Sequence, residues 1–175
     1  MKIVFFAFAM TAAVMIAPSA IAAEPQTLYW EELLPEGELE RLDELYASQQ
    51  SLLFGHSEYD DPMMSAMPAQ IGTFNVVEEL EGVLVRVPGF VLPFEYSASG
   101  KISEFLLVPY FGACIHTPPP PPNQMVYVKS EAPADLGQRW NAIWAIGVLR
   151  TQKHLNQLGD AAYTLELQRW EEYDG

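Results

Sequence analysis

The stretch Val83-Leu84-Val85-Arg86-Val87-Pro88-Gly89-Phe90-Val91-Leu92 decides the fold. Its period is two. Val83, Val85 and Val87 fall on one face and Leu84 and Arg86 on the other, the alternation of a half-buried strand. Pro88-Gly89 interrupts the run before Phe90 resumes it, which predicts a long strand bent sharply at a bulge. Ser99-Gly100 is a turn signal, so Ile102 to Val108 follows as a hairpin partner. Gln124 to Val128, Ile143 to Leu149 with Gly147 inside it, and Tyr163 to Leu167 read as three more strands, after which Trp170 and Tyr173 close the chain. Five strands, one of them bent, with a helix ahead of them, predict a mainly β (α+β overall) fold. Its expected form is a small OB-like, partly open five-stranded β-barrel preceded by an acidic N-terminal helix.

Ahead of this body, Glu36 to Gln50 reads as that helix, with Leu39, Leu42, Leu45 and Tyr46 at three- and four-residue spacing. The early acids Glu36, Glu38 and Glu40 suit the positive end of the helix dipole. The expectation is an apolar stripe packed onto the barrel. Charge is unevenly placed: 11 acids against Arg41 alone between Glu24 and Asp61, but 12 acids against 7 bases from Pro62 onward. Three segments follow: a leader over 1–23, an acidic helical arm and loop over 24–75, and the barrel domain over 76–175.

Residues 1–23 have the pattern of a cleaved secretory signal. Lys2 precedes an apolar run from Ile3 to Ala17, then Pro18-Ser19 breaks it and Ala20-Ile21-Ala22 offers small residues for cleavage. The apolar run is about 15 residues, short of the roughly 20 that span a bilayer. The expected product is a periplasmic protein with no membrane anchor after cleavage. Over the whole chain, 9 bases stand against 23 acids, a net charge of −14. That balance disfavours nucleic acid, because phosphate backbones are held by Lys and Arg, and no nucleic-acid partner is expected. One cysteine excludes an internal disulfide framework and every multi-cysteine metal motif.

The most unusual segment runs Phe105-Leu-Leu-Val-Pro-Tyr-Phe-Gly-Ala-Cys-Ile-His-Thr117, followed by the five prolines Pro118 to Pro122 and Asn123-Gln124. The prolines lock φ and carry no N–H, so they form a stiff polyproline II bridge between strands. The bridge serves either as a spacer over the barrel mouth or as a ligand for an aromatic groove. Tyr110, Pro118, Pro119, Pro120, Asn123 and Gln124, with Glu95 at the end of the bent strand, are the expected binding surface. Cys114 and His116 lie two apart, which in extended backbone puts both side chains on one side, where thiolate and imidazole suit Zn or Cu. Two ligands do not complete a site. His56, Glu95, or the methionines Met63, Met64 and Met67 are the available completions. The alternative is an inert buried thiol in a structural protein-interaction module, and a less favoured one is a cysteine-dependent enzyme with His116 as base. His154, in Thr-Gln-Lys-His-Leu, lies in a polar connection and is expected to be exposed.

The run from Val85 to Glu95, and above all Gly-Ala-Cys-Ile-His-Thr-Pro-Pro-Pro-Pro-Pro-Asn-Gln124, resembles an exported bacterial family known as domain of unknown function 3299. The similarity extends to Trp30-Glu-Glu-Leu33, Gln70-Ile-Gly72 and the Trp144 strand with Gly147, and more loosely to His56-Ser57. It carries over Cys114, His116, Asn123, Gln124 and Glu95 as motif positions; the methionine cluster is not part of it. The resemblance implies a signal-bearing protein of Gram-negative bacteria. It further implies an accessory role in transport or metal handling, partnered by a membrane transporter component or another periplasmic protein, and it brings no established activity.

Overall fold

The structure, a computed structural model, describes residues 24–54, 70–94, 100–113, 119–136 and 141–174. Its elements are β1 (Gln26–Thr27), α1 (Glu38–Phe54), β2 (Leu84–Pro93), β3 (Ile102–Val108), β4 (Val126–Ala134), β5 (Ile143–Arg150) and β6 (Tyr163–Glu172). Short 3-10 turns occupy Trp30–Leu33, Glu78–Leu80 and Pro122–Gln124. Among the described residues no helix is long and apolar enough to cross a membrane.

Five strands close into a ring in the order β2-β3-β4-β6-β5, with β5 returning to β2. The pairings are antiparallel except β4 with β6, which is parallel. This is the expected OB-like barrel, and it is closed rather than partly open. Closure depends on the length of β2. Leu84 to Gly89 pair with β5, and Phe90 to Pro93 pair with β3, so one strand joins both sides of the ring. The expected bulge at Pro88-Gly89 is absent: Pro88 pairs with Trp144 and Gly89 with Ile143 in unbroken register. The change that falls there is a switch of partner. The irregularities lie instead between Ile102 and Glu104 on β3 and between Ile146 and Gly147 on β5.

The alternation read from the sequence sets the core. Val85 and Val87 point inward and are fully buried with Phe105, Leu107, Val126, Val128, Ala145 and Leu165. Strand β3 is apolar on both faces because each is covered. Its Leu106 and Val108 pack outside the barrel with Met125, Tyr127 and Ala161, under Phe90, Leu92 and Phe94. His154 belongs to this outer cluster. It is half-buried and pairs its backbone with Ala161, and its ring stacks on Tyr127 at 3.7 Å and 4°. The polar neighbours of His154 misled, because the aromatic partner is distant in sequence. Burial pushes the Tyr127 hydroxyl up to about 12, aided by a hydrogen bond with Glu104.

The segment before the barrel is stitched to it. β1 adds to β2 in parallel, and Leu28 and Leu33 enter the core. The Tyr163 hydroxyl donates to the Leu33 carbonyl at 2.8 Å and accepts from the Val77 N–H at 2.7 Å. Helix α1 differs from expectation. Leu42 is buried, but Leu39 is 56% exposed and Tyr46 is exposed too, so no full apolar stripe is covered. What is buried instead is Glu38, at 2%.

Two outcomes test this architecture. A Cβ at Gly147 would collide with the backbone carbonyl of Glu166 on the paired strand. Gly147→Ala should therefore cost about 2–4 kcal/mol, read as a lowered urea midpoint at unchanged slope. On the barrel exterior, Arg150 bonds Glu166 at 3.0 Å and Glu81 at 3.3 Å, while Glu81 accepts the Thr151 N–H at 2.6 Å. The Thr151 N–H foremost lowers Glu81, and Arg150 foremost lowers Glu166. Lowered carboxyls contribute stability that is fully present above the unfolded pKa, about 4.3, and lost as pH falls through the native values. Glu81→Gln should thus flatten the acid limb of a stability–pH curve below about pH 4.

Candidate functional site at the end of the proline bridge

Prolines offer carbonyls but no N–H, so a proline run is held only by donors from elsewhere. The described end of the bridge meets that condition. Gln70 Nε2 donates to the Pro120 carbonyl at 2.7 Å and to the Asp160 carbonyl at 2.9 Å, and its Oε1 accepts the Asp160 N–H at 2.7 Å. The Ala162 N–H reaches the Pro122 carbonyl at 2.7 Å, and the Gln124 N–H reaches Pro121 at 2.8 Å. Gly72, at φ 148°, lies against the ring of Pro121; a Cβ there would stand 2.7 Å from the Pro121 Cβ. The Gln70-Ile71-Gly72 segment therefore reads as a clamp on the prolines.

Beyond the prolines the 3-10 turn at Pro122–Gln124 turns two amides in different directions. Gln124 Nε2 donates to the Trp30 carbonyl at 2.7 Å, and the Trp30 indole donates to the Pro88 carbonyl at 2.8 Å. Asn123 is fully buried. Its Nδ2 donates to Glu38 Oε1 at 3.1 Å, with Thr73 Oγ1 at 3.3 Å and the Asn75 carbonyl at 3.4 Å around it. Glu38 also receives Asn75 Nδ2 at 2.9 Å and the Thr73 hydroxyl, and Arg41 Nε lies 3.6 Å away. A buried carboxylate is tolerable only with such a shell of donors.

The carboxylate also sets the orientation of Asn123. A flipped amide would place Oδ1 against Glu38 Oε1, oxygen on oxygen, so Nδ2 must face Glu38 and Oδ1 must face away. Among the described residues Asn123 Oδ1 has no hydrogen-bond partner. The arrangement is a buried acceptor, fixed in direction, at the exit of the proline bridge.

Of the residues expected to form the site, Cys114, His116, His56, Glu95 and Pro118 lie outside the described residues, as do Met63, Met64 and Met67. Tyr110 is exposed. Pro119, Pro120 and Asn123 are not on an exposed surface: the bridge is clamped from one side, and they are buried, with Gln124 half-buried. Among the described residues no three of His, Cys, Asp and Glu are grouped to hold a metal ion. Glu38, Thr73 and Asn75 were missed. Their only local signal was an acid in the first turn of a helix, which solvent explains equally well.

The family model described as "Protein of unknown function (DUF3299)" matches residues 30–172. The chain belongs to the DUF3299 family. Both halves of the candidate site, Glu38 and the Gln70–Asn123 clamp, fall inside the matched span. A crystal structure of a DUF3299 family protein from Pseudomonas aeruginosa PAO1 is similar at a TM-score of 0.65 and 29% identity, covering 87% of this chain and 99% of that one. No curated protein matches the chain.

The Glu38–Asn123 pair is separable by a double-mutant cycle. Asn123→Ala removes a donor from a buried carboxylate and should cost about 2–4 kcal/mol, and Glu38→Gln about 1–3 kcal/mol. The double variant should lose less than the sum by about 1 kcal/mol in urea unfolding. Strict additivity would show that the two side chains do not depend on each other.

Proposed function

We propose that this DUF3299 protein is an exported, periplasmic binding or accessory protein whose centre is the Cys114–His116 motif, taking Zn²⁺ or Cu⁺ in support of a transport or metal-handling system. The observation that carries the reading is the oriented Oδ1 of Asn123, which has no partner among the described residues and lies seven residues beyond His116. An imidazole that ligates a metal through one nitrogen donates its other N–H to a fixed acceptor, which sets its tautomer and raises its basicity. Asn123 is an acceptor of that kind, and Glu38 keeps it pointed. A soft thiolate beside such an imidazole selects Zn²⁺ or Cu⁺. His56 is the further ligand this reading calls on, and the partner it implies is a membrane transporter component or another periplasmic protein.

A second reading has its own support. The clamp of Gln70 and Gly72 on Pro120 and Pro121 suits a rigid spacer that shapes a docking surface, with Cys114 inert. The two part in one experiment. Metal-stripped protein titrated with Zn²⁺ or Cu⁺ should take up one equivalent, with uptake abolished in Cys114→Ser and weakened about 10–100-fold in His116→Ala. No Cys114-dependent uptake leaves the interaction module standing. Rapid alkylation of Cys114 at neutral pH in the metal-free protein would instead mark an exposed thiolate and direct attention to thiol chemistry.

A further inference from the structure

Away from the proline bridge, the outer face of the β2–β5 pairing carries a second concave site that the proposed function does not use. A cleft of about 480 Å³ is lined by Tyr29, Trp30, Phe90 and Tyr173, with Glu31 and Asn141 among its polar members. Its aromatic walls are held in place. The Trp30 indole is fixed on the Pro88 carbonyl at 2.8 Å, and Tyr29 meets Trp144 edge-on at 6.2 Å. Tyr173 packs on Trp144 at 5.2 Å, while Trp144 is anchored by its indole to Asp174 Oδ1 at 3.2 Å. Phe90 is braced by Phe111 at 5.9 Å. Tyr29, Phe111 and Tyr173 are all exposed, so the rim is an aromatic surface open to solvent.

Among the described residues the charge of the cleft has one sign: Glu31 is the acid in its lining, and neither Lys nor Arg is among them. A neighbouring cation, Arg86, is held behind the walls: its guanidinium lies 4.3 Å over the Trp144 ring and its Nε bonds Thr27 Oγ1 at 2.7 Å. That contact shows the same aromatic cluster already accepting a cation on a π-face. Aromatic faces with a carboxylate at the edge attract organic cations, through the ring quadrupole and through Coulomb attraction. The strongly acidic chain favours the encounter as well.

We propose that this cleft binds an organic cation, an alkylammonium or guanidinium group, with Tyr29, Trp30 and Tyr173 as the π-walls and Glu31 as the counter-charge. A neutral sugar, the other ligand class that aromatic platforms take, would gain nothing from the carboxylate or from the negative charge of the chain, and its binding would not weaken as salt rises.

The test is titration of the full chain with choline, putrescine and a blocked arginine tripeptide, followed by tryptophan fluorescence and by calorimetry. Saturable binding is expected, weakening as salt rises, with 3,3-dimethylbutanol, the neutral counterpart of choline, at least about tenfold weaker. Glu31→Gln alters an exposed side chain and should keep the wild-type melting temperature, whereas Tyr29→Ala gives up the Trp144 contact and should lower it by a few degrees; each should lose about tenfold in affinity. Stronger binding of the tripeptide assigns the cation to a protein side chain; equal or stronger binding of the free amines assigns it to a small solute. The site is overturned if none of the three cations saturates, if the neutral alcohol binds as well as choline, or if both variants bind like wild type. None of these outcomes depends on Cys114 or on metal, so they leave the proposed function untouched.

Discussion

A run of prolines that can accept hydrogen bonds but not donate them is the constraint around which this molecule is organised. The prolines need donors from outside the run. At Pro120, Pro121 and Pro122 these are the Gln70 side chain and the backbone N–H groups of Gln124 and Ala162. They draw together the loop after α1, the turn into β4 and the entry to β6. Gly72 then lets the backbone lie directly on the proline rings. The bridge is stiff by covalent geometry, and its surroundings make it stationary.

Glu38 extends the same logic to a charge. It sits in the first turn of α1, where an acid is expected, yet it faces inward and collects donors from Thr73, Asn75 and Asn123. The helix is thereby tied to the exit of the bridge by a polar contact, while Leu39 and Tyr46 remain outside. Because the carboxylate can accept only donors, it dictates which way the Asn123 amide faces. An acceptor held so firmly and left without a described partner is the strongest chemical signal in the chain.

Much of the barrel was legible because strand alternation depends only on neighbours. The valines of β2 lie inside, the hairpin partner β3 follows the Ser99-Gly100 turn, and the three later strands occur where their apolar runs fall. Boundaries were short of the truth at β4 and β6, which continue into polar residues such as Lys129 to Glu131 and Gln168 to Glu172. The β6 extension is held by pairing of Arg169 to Glu172 with β5, and that of β4 runs irregularly between Lys129 and Ala134, which both pair with β3. Backbone pairing leaves little trace in side-chain type. The Pro88-Gly89 dipeptide was read as a bulge because such residues disfavour a central strand. The ladder accommodates them at the point where β2 trades β5 for β3.

By itself the sequence determined the strand periods, the stiffness of the proline bridge and the acidity of the whole, since each is a property of residues close together along the chain. It also marked Asn123 and Gln124 as belonging to the most distinctive motif. Only the tertiary structure decided that the barrel closes, that His154 stacks on Tyr127, and that Glu38 is buried against Asn123, 85 residues away. The aromatic cleft is of the same kind, bringing Tyr29 and Tyr173 to one place from the two ends of the described chain. Closure, stacking and charge burial are relations between distant residues, and their energy exists only once the chain has brought those residues into contact.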